Sequence, residues 1–367
     1  MINDHLTGTS SSIHGSSRVT ASVSESHERS IKPDFTESPL EAVAISPAAV
    51  ASECCDKPAS AKPNVLVLMC TYNGQNFLEQ QLESIKSQTF DDWHVAISDD
   101  GSEDATCTIA NRYRALWGED KVSVWRGPGR GFARNFISNV CNTALDADFY
   151  AWCDQDDVWE SGKLRAALDW LERCPQDVPA LYFGRTRLVS ESDEFLGYSP
   201  LFRRPPTFAN ALVQSIGGGN TMVFNHAARL LLQETGEGLD IVSHDWWAYL
   251  LVSGAGGRLF YDARPYVHYR QHINNLVGSN AGWRARYIRL RMMFEGRFKH
   301  WNSTNIAGLE TVKYRLTDEN LQVFEHFKAL RSEGFFGRLK RLKRSGVYRQ
   351  TLLGNLGLMM ATVIRKV

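Results

Sequence analysis

The sequence predicts an α/β protein, a mostly parallel sheet flanked by helices with a helical, basic C-terminal extension. Three observations carry this expectation. Apolar runs of strand length (Val65–Cys70, Trp93–Ile97, Val122–Trp125 and Phe149–Cys153) alternate with segments of helical apolar spacing. These strands lack the polar alternation of a half-exposed sheet, so they are buried on both faces, as in a sheet between two helix layers. Charge is divided along the chain: Asp and Glu outnumber Lys and Arg 35 to 23 through Asn280, whereas Lys and Arg lead 18 to 6 after it. The net charge of zero therefore hides an acidic body and a basic tail.

In chain order, residues 1–62 are rich in Ser, Thr, Ala, Glu and His and poor in large apolar side chains, which predicts a disordered N-terminal extension. From Pro63 the reading is strand (65–70), helix (77–85), strand (93–97), helix (105–116), strand (122–125), helix (133–144) and strand (149–153). Helices are expected again after Gly282. Domain bounds follow: 63–280 as the folded body, with 63–160 and 161–280 as its halves, and 281–367 as the helical tail. Composition is that of a folded chain, with 43% hydrophobic, 22% charged and 11% aromatic residues. Seven cysteines without C-x-x-C spacing suit free thiols in a reducing compartment. No segment has the length of a membrane span or the layout of a secretory signal, so the expected location is the cytoplasm.

In a sheet of this kind ligands sit beyond the carboxyl ends of the strands. Three polar clusters fall there: Thr71-Tyr-Asn-Gly74, Asp99-Asp-Gly-Ser-Glu-Asp104 and Asp154-Gln-Asp-Asp157. Asp154 and Asp156 are close enough to reach one hard cation, which takes few carboxylates and leaves positions for water or phosphate oxygens. The second cluster is expected to form an Asx turn with Asp104 as a helix N-terminal charge, a role compatible with ligand binding, and both are expected. There is no P-loop, and Gly127, Gly129 and Gly131 fail the G-x-G-x-x-G spacing of a dinucleotide turn.

These motifs resemble the successive signatures of family 2 glycosyltransferases with the GT-A (Rossmann-like) fold: Cys70-Thr-Tyr-Asn-Gly74, Ser98 to Asp104, and Cys153-Asp-Gln-Asp-Asp-Val-Trp159 with Lys163. Gly218-Gly-Asn-Thr-Met222, His244-Asp-Trp-Trp247 and Tyr269-Arg-Gln-His272 are similar to the bacterial rhamnosyltransferase-like branch. The resemblance implies a nucleotide-sugar donor, with dTDP-L-rhamnose preferred over other UDP- or GDP-sugars, and a surface-polysaccharide (such as O-antigen) or lipid-linked acceptor. It implies that Thr71, Tyr72 and Asn73 line the base pocket and that Asp99 or Asp100 contacts base or ribose. Asp154 would meet the ribose or the metal's water shell, Asp156 would ligate Mn or Mg, and Lys163 falls on the donor side. Asp157, Trp159, Gly219, Asn220, Trp246 and Trp247 fall on the acceptor side. The catalytic base is implied at Asp245, beside two indoles whose desolvation would favour proton uptake; the competing role is an Asp cap on the helix that follows.

Arg270 and His272 are expected either to meet a departing diphosphate or to form a surface network. His244, His268 and His272 lack the cysteine company and spacing of a zinc site. A nucleotidyltransferase would not need the His-Asp-Trp-Trp carboxylate, and a decayed scaffold would not need Asp154, Asp156 and Asp245 together. In the tail, Arg338, Lys340, Arg341, Lys343 and Arg344 precede an apolar stretch from Leu352 to Met360 that is too short to span a bilayer. That pairing predicts peripheral contact of residues 335–362 with an anionic membrane, at its inner face, against the alternative of a solvated basic face. Nucleic acid is not expected as a partner, because the body is acidic.

Overall fold

The computed structural model describes residues 64–271 and 297–367; the expectations for residues 1–62 and for His272 lie outside them. Strand β1 (Val65–Thr71) is buried along its whole length. Its alternate side chains enter two different cores, as a period of two requires. Val65, Val67 and Met69 pack against helices α1 (Leu78–Lys86) and α2 (Thr106–Trp117), while Leu66, Leu68 and Cys70 face α3 (Phe132–Cys141).

Strands β2 (Trp93–Asp99) and β3 (Val122–Arg126) extend the sheet on one side of β1, and β4 (Phe149–Cys153) on the other, all parallel. Beyond β4 the direction reverses. The three-residue β9 (Val223–Asn225) lies antiparallel between β4 and β6 (Ala180–Gly184), and β10 (Arg258–Asp262) closes the seven-stranded sheet parallel to β6. A second, small sheet joins β5 (Val158–Trp159), β11 (Val267–Arg270), β7 (Arg187–Val189) and β8 (Phe195–Tyr198). It carries the chain back across the end of β4.

Helix α4 (Lys163–Leu171) covers one face of the large sheet, and α5 (Phe208–Ala211), α6 (His226–Gln233) and α7 (His244–Gly254) the other. The tail helices are α8 (Arg297–Thr311), α9 (Asp318–Ala329), α10 (Phe335–Ser345) and α11 (Leu352–Val363). Ile306, Leu309, Phe324, Phe327 and Leu358 from these helices belong to the same apolar cluster as α7. Asn320 Nδ2 donates to Ser253 O and Gly254 O at the end of α7, both at 3.0 Å. The tail is thus packed onto the body and continues its core. Side-chain caps from Asn225, Thr317 and Thr351 start α6, α9 and α11. Among the described residues Cys70, Cys107, Cys141, Cys153 and Cys174 are free thiols.

Candidate active site

The loops leaving β1, β2 and β4 are tied to one another by their own polar side chains. Asp99, at the end of β2, accepts hydrogen bonds from Thr71 Oγ1 (2.8 Å), Ser102 N (2.8 Å) and Ser102 Oγ (2.6 Å). Burial would raise this carboxyl's pKa, but the bonds from Ser102 and Thr71 outweigh it and hold it below the usual carboxylate range. The Asx turn foreseen for this cluster is therefore present.

Asp100 accepts from Gly129 N and Gly131 N, each at 2.7 Å, and so folds the glycine loop back onto β2. Asn73 takes a positive φ of 48°, a conformation Asn tolerates better than most residues, and its N–H donates to Ser102 Oγ. Tyr72 is left standing in solvent at 58% exposure.

Sequence reasoning passed over Gln155. Its side-chain amide accepts from Tyr72 N and donates to Tyr72 O, both at 2.9 Å, which joins the β4 loop to the β1 loop. Gly74 lies beneath it, and a Cβ there would push the Gln155 amide aside. The only sequence signal was its position between the two aspartates.

Asp157 is fully buried and accepts from Asn220 Nδ2 (2.5 Å) and Arg270 N (3.4 Å), so this carboxylate and Asn220 hold each other. Asn220 sits on the single 3₁₀ turn Gly219–Thr221 that leads into β9. Gly219 lies against the His244 ring, where a Cβ would overlap the imidazole. His244 itself stacks on Phe136 (3.9 Å between ring centres) and meets Trp152 edge-on (4.6 Å). Neither of its ring nitrogens has a hydrogen-bond partner, and burial lowers its pKa to about 4, so it is a neutral aromatic plug at the start of α7.

Asp245 follows it. The helix is preceded by Ser243 as the N-cap residue, so Asp245 stands inside the first turn and is not the cap; its Oδ1 accepts from Trp246 N at 2.7 Å. A carboxylate there is favoured by the helix dipole, and its charge reaches Asp154 of the β4 loop.

Electrostatics shows that these carboxylates share one region. Burial raises Asp154 to about 8, and the negative charges of Asp156 and Asp245 add to the shift. Burial also drives Asp157 well up, with Asp156 and Asp154 adding. Tyr269 on β11 is raised by burial and then by Asp157, Asp154, Asp156 and Asp245, so its phenol lies within electrostatic reach of all four. Its motif was noticed in the sequence, but the residue itself was not singled out.

An oxygen-only set of mutually repelling carboxylates fits a hard divalent cation, whose charge would relieve the repulsion. No three His, Cys, Asp or Glu side chains converge as a ligand group among the described residues. Such an ion would take one or two carboxylates and complete its shell with water and substrate oxygens.

Several expected contacts are placed elsewhere. Arg270 is 1% exposed: Nε donates to Asp156 O (3.1 Å), Nη2 to Gln80 Oε1 (2.7 Å) and Nη1 to Glu191 O, with the guanidinium above Phe77. It braces the aspartate loop through the Asp156 carbonyl. Lys163 is buried with its Nζ 3.4 Å from the centre of the Trp159 ring, and burial lowers its pKa to about 7. Trp159, Trp246 and Trp247, expected on the acceptor side, are buried core side chains. Trp246 Nε1 donates to Ala211 O, Trp247 Nε1 to Thr235 Oγ1, and Gly308 of α8 packs against the Trp247 ring. Trp247→Ala is therefore expected to cost about 3–5 kcal/mol of stability, read by denaturant unfolding.

Residues 66–228 match the family model described as Glycosyl transferase family 2. A dTDP-rhamnosyl transferase of Shigella flexneri, RfbG, is 29% identical over 241 residues, covering 61% of this chain and 78% of that one. A Bacillus subtilis protein described as a putative glycosyltransferase, EpsE, is 30% identical over 111 residues, covering 30% of this chain and 39% of its own length. Among solved structures, a Pyrobaculum calidifontis mannosyltransferase in complex with GDP-Man and Mn2+ superposes with a TM-score of 0.43 at 19% identity, covering 85% of this chain and 90% of that one. Residues 66–228 thus carry a glycosyltransferase family 2 domain, with its acidic rim at the carboxyl ends of β1, β2 and β4, and the chain is a glycosyltransferase.

Proposed function

We propose that the enzyme transfers L-rhamnose from dTDP-L-rhamnose, with inversion and with Mn or Mg, to a growing surface polysaccharide or lipid-linked glycan at the inner face of the cell membrane. The observation that supports this reading is that Asp154 and Asp156, at the end of β4, and Asp245, at the start of α7, all lie within electrostatic reach of Tyr269. The rhamnosyl donor is supported by the Shigella relative and by the branch-specific motifs from Gly218 to His272.

Thr71, Asn73, Asp99 and Asp100 shape the rim on which the nucleoside lies, and the exposed Tyr72 ring offers its face to the base. Asp156, helped by Asp154, would hold the cation, which as a Lewis acid neutralises charge on the leaving diphosphate. Asp245 accepts the proton of the acceptor hydroxyl as that oxygen bonds to the anomeric carbon and the bond from that carbon to the diphosphate oxygen breaks. Attack from the face opposite the diphosphate inverts the anomeric centre. Two carboxylates with different duties are needed, and each comes from a different half of the chain.

The test is a donor panel read by release of free nucleoside diphosphate. Purified enzyme with Mn2+ is expected to release dTDP from dTDP-L-rhamnose faster than it releases nucleoside diphosphate from any UDP- or GDP-sugar. A faster UDP- or GDP-sugar would replace rhamnose as the donor, and no release from any donor would overturn the transferase site as described.

A further inference from the structure

The tail helices expose an apolar stripe that the catalytic reading does not use. On α11 the exposed side chains are Leu352 (78%), Leu353 (64%), Leu356, Met359 and Met360. Their spacing of 0, 1, 4, 7 and 8 residues places them on one face of a 3.6-residue helix. The opposite face, with Leu358, Ala361 and Thr362, is already buried against the body. The helix is therefore apolar on both sides, and the outer side has no protein partner among the described residues. An exposed apolar face of this kind marks an interaction surface.

Charge identifies what it meets. From Gly334 to Val367 the sequence has eight Lys and Arg and no Asp or Glu. On α10, Phe336 (83% exposed), Lys340, Lys343 and Arg344 share the outward face, and none of the three cations has a carboxylate partner among the described residues. Between α8, α10 and the end of α11 lies a cavity of about 220 Å³ lined by Lys299, Arg331, Arg338 and Arg365. Arg338 is 5% exposed, and its Nε is buried without a hydrogen-bond partner. Its other nitrogens are spent on Glu333 O and Val363 O.

We infer that α10 and α11 dock the enzyme in the plane of an anionic phospholipid bilayer, with the apolar stripe of α11 among the acyl chains and the basic residues on the headgroup phosphates. An interfacial helix combines these features, and anionic headgroups supply the charge that the tail lacks. No helix among the described residues is long and apolar enough to cross a membrane; the 12-residue α11, at ~1.5 Å per residue, reaches only part of the way. The inference deepens the proposed lipid-linked acceptor, and it rests on that reading for its purpose but not for its evidence.

The experiment is sedimentation of the full chain with phosphatidylcholine vesicles, with and without phosphatidylglycerol. Binding is expected only with phosphatidylglycerol and is expected to weaken in high salt. Lys340→Gln/Lys343→Gln/Arg344→Gln and, separately, Leu352→Ser/Leu353→Ser/Met360→Ser should each weaken it at least about tenfold. Both variants should keep the wild-type melting temperature and the wild-type release of nucleoside diphosphate from donor alone. Lys299→Gln/Arg365→Gln should weaken binding while the apolar stripe is intact.

Binding that ignores all three variants overturns the inference. So does a wild-type dimer in solution that the serine variant converts to monomer, since the stripe would then be an interface between copies. Saturable binding of inorganic phosphate with no vesicle binding also overturns it, leaving a free-anion site. Loss of donor turnover in wild type with vesicle binding intact would strike the catalytic reading instead, so the two failures are distinguishable.

Discussion

Asp245→Asn is expected to lower turnover by at least ~10²-fold while leaving nucleotide-sugar affinity close to wild type, a loss within the range of general-base removal. The substitution is informative because of the one bond Asp245 makes locally. Its Oδ1 accepts from Trp246 N, and an asparagine oxygen can accept the same bond, so the first turn of α7 keeps its geometry. What disappears is the carboxylate's ability to take a proton. A purely structural Asp245 would show the opposite pattern: near-normal turnover and a stability loss of about 0.3–1 kcal/mol, the worth of a negative charge at a helix N-terminus. Turnover under saturating donor and acceptor, isothermal titration with donor, and denaturant unfolding of the same variant separate the two. Wild-type-like turnover removes Asp245 from the chemistry.

The parts of the fold that were legible in the sequence are those whose burial is symmetric. Val65–Thr71 and Phe149–Cys153 are buried along their whole length because helices cover both faces of the sheet. Strands of two to four residues carry no such pattern. Val223–Asn225 is too short to show a period, so the reversal of direction between β4 and β6 was invisible. The second sheet, whose strand Val158–Trp159 has two residues, was invisible for the same reason.

In the site, the carboxylates were legible and the cations were not. An aspartate cluster after a strand states its position, because the sheet fixes where the strand ends. Arg270 and Lys163 state only a charge, and whether that charge faces solvent or a carbonyl behind the loop depends on contacts with Gln80, Glu191 and Trp159, distant in sequence. The tryptophans were ambiguous for a related reason: an indole beside a carboxylate states neither its burial nor its partner, and the 3.6-residue turn of α7 sends both into the core. Gln155 gave no signal, since bonding to a backbone N–H and C=O needs no characteristic neighbour.

Asp156→Ala is the complementary prediction, with the effect placed on the leaving group and not on the nucleophile. Turnover with Mn2+ is expected to fall by at least ~10²-fold, because Lewis-acid stabilisation of a leaving diphosphate is worth several kcal/mol and each 1.4 kcal/mol is about tenfold. Donor affinity should become the same with and without Mn2+, whereas Asp245→Asn should preserve the metal's enhancement of binding. The loop is expected to survive the change, since Arg270 Nε is anchored on the Asp156 carbonyl and Gln155 still clasps Tyr72. A misfolded loop would betray itself by a lower unfolding midpoint. Asp154→Asn provides the control on the same turn: removing one of the repelling charges around Asp156 should weaken the metal effect without abolishing it. Should donor affinity in the unsubstituted enzyme be indifferent to Mn2+ and Mg2+, the aspartates of the β4 loop would have to act on ribose or sugar hydroxyls, and stabilisation of the leaving diphosphate would fall to a cationic side chain outside the rim formed by β1, β2 and β4.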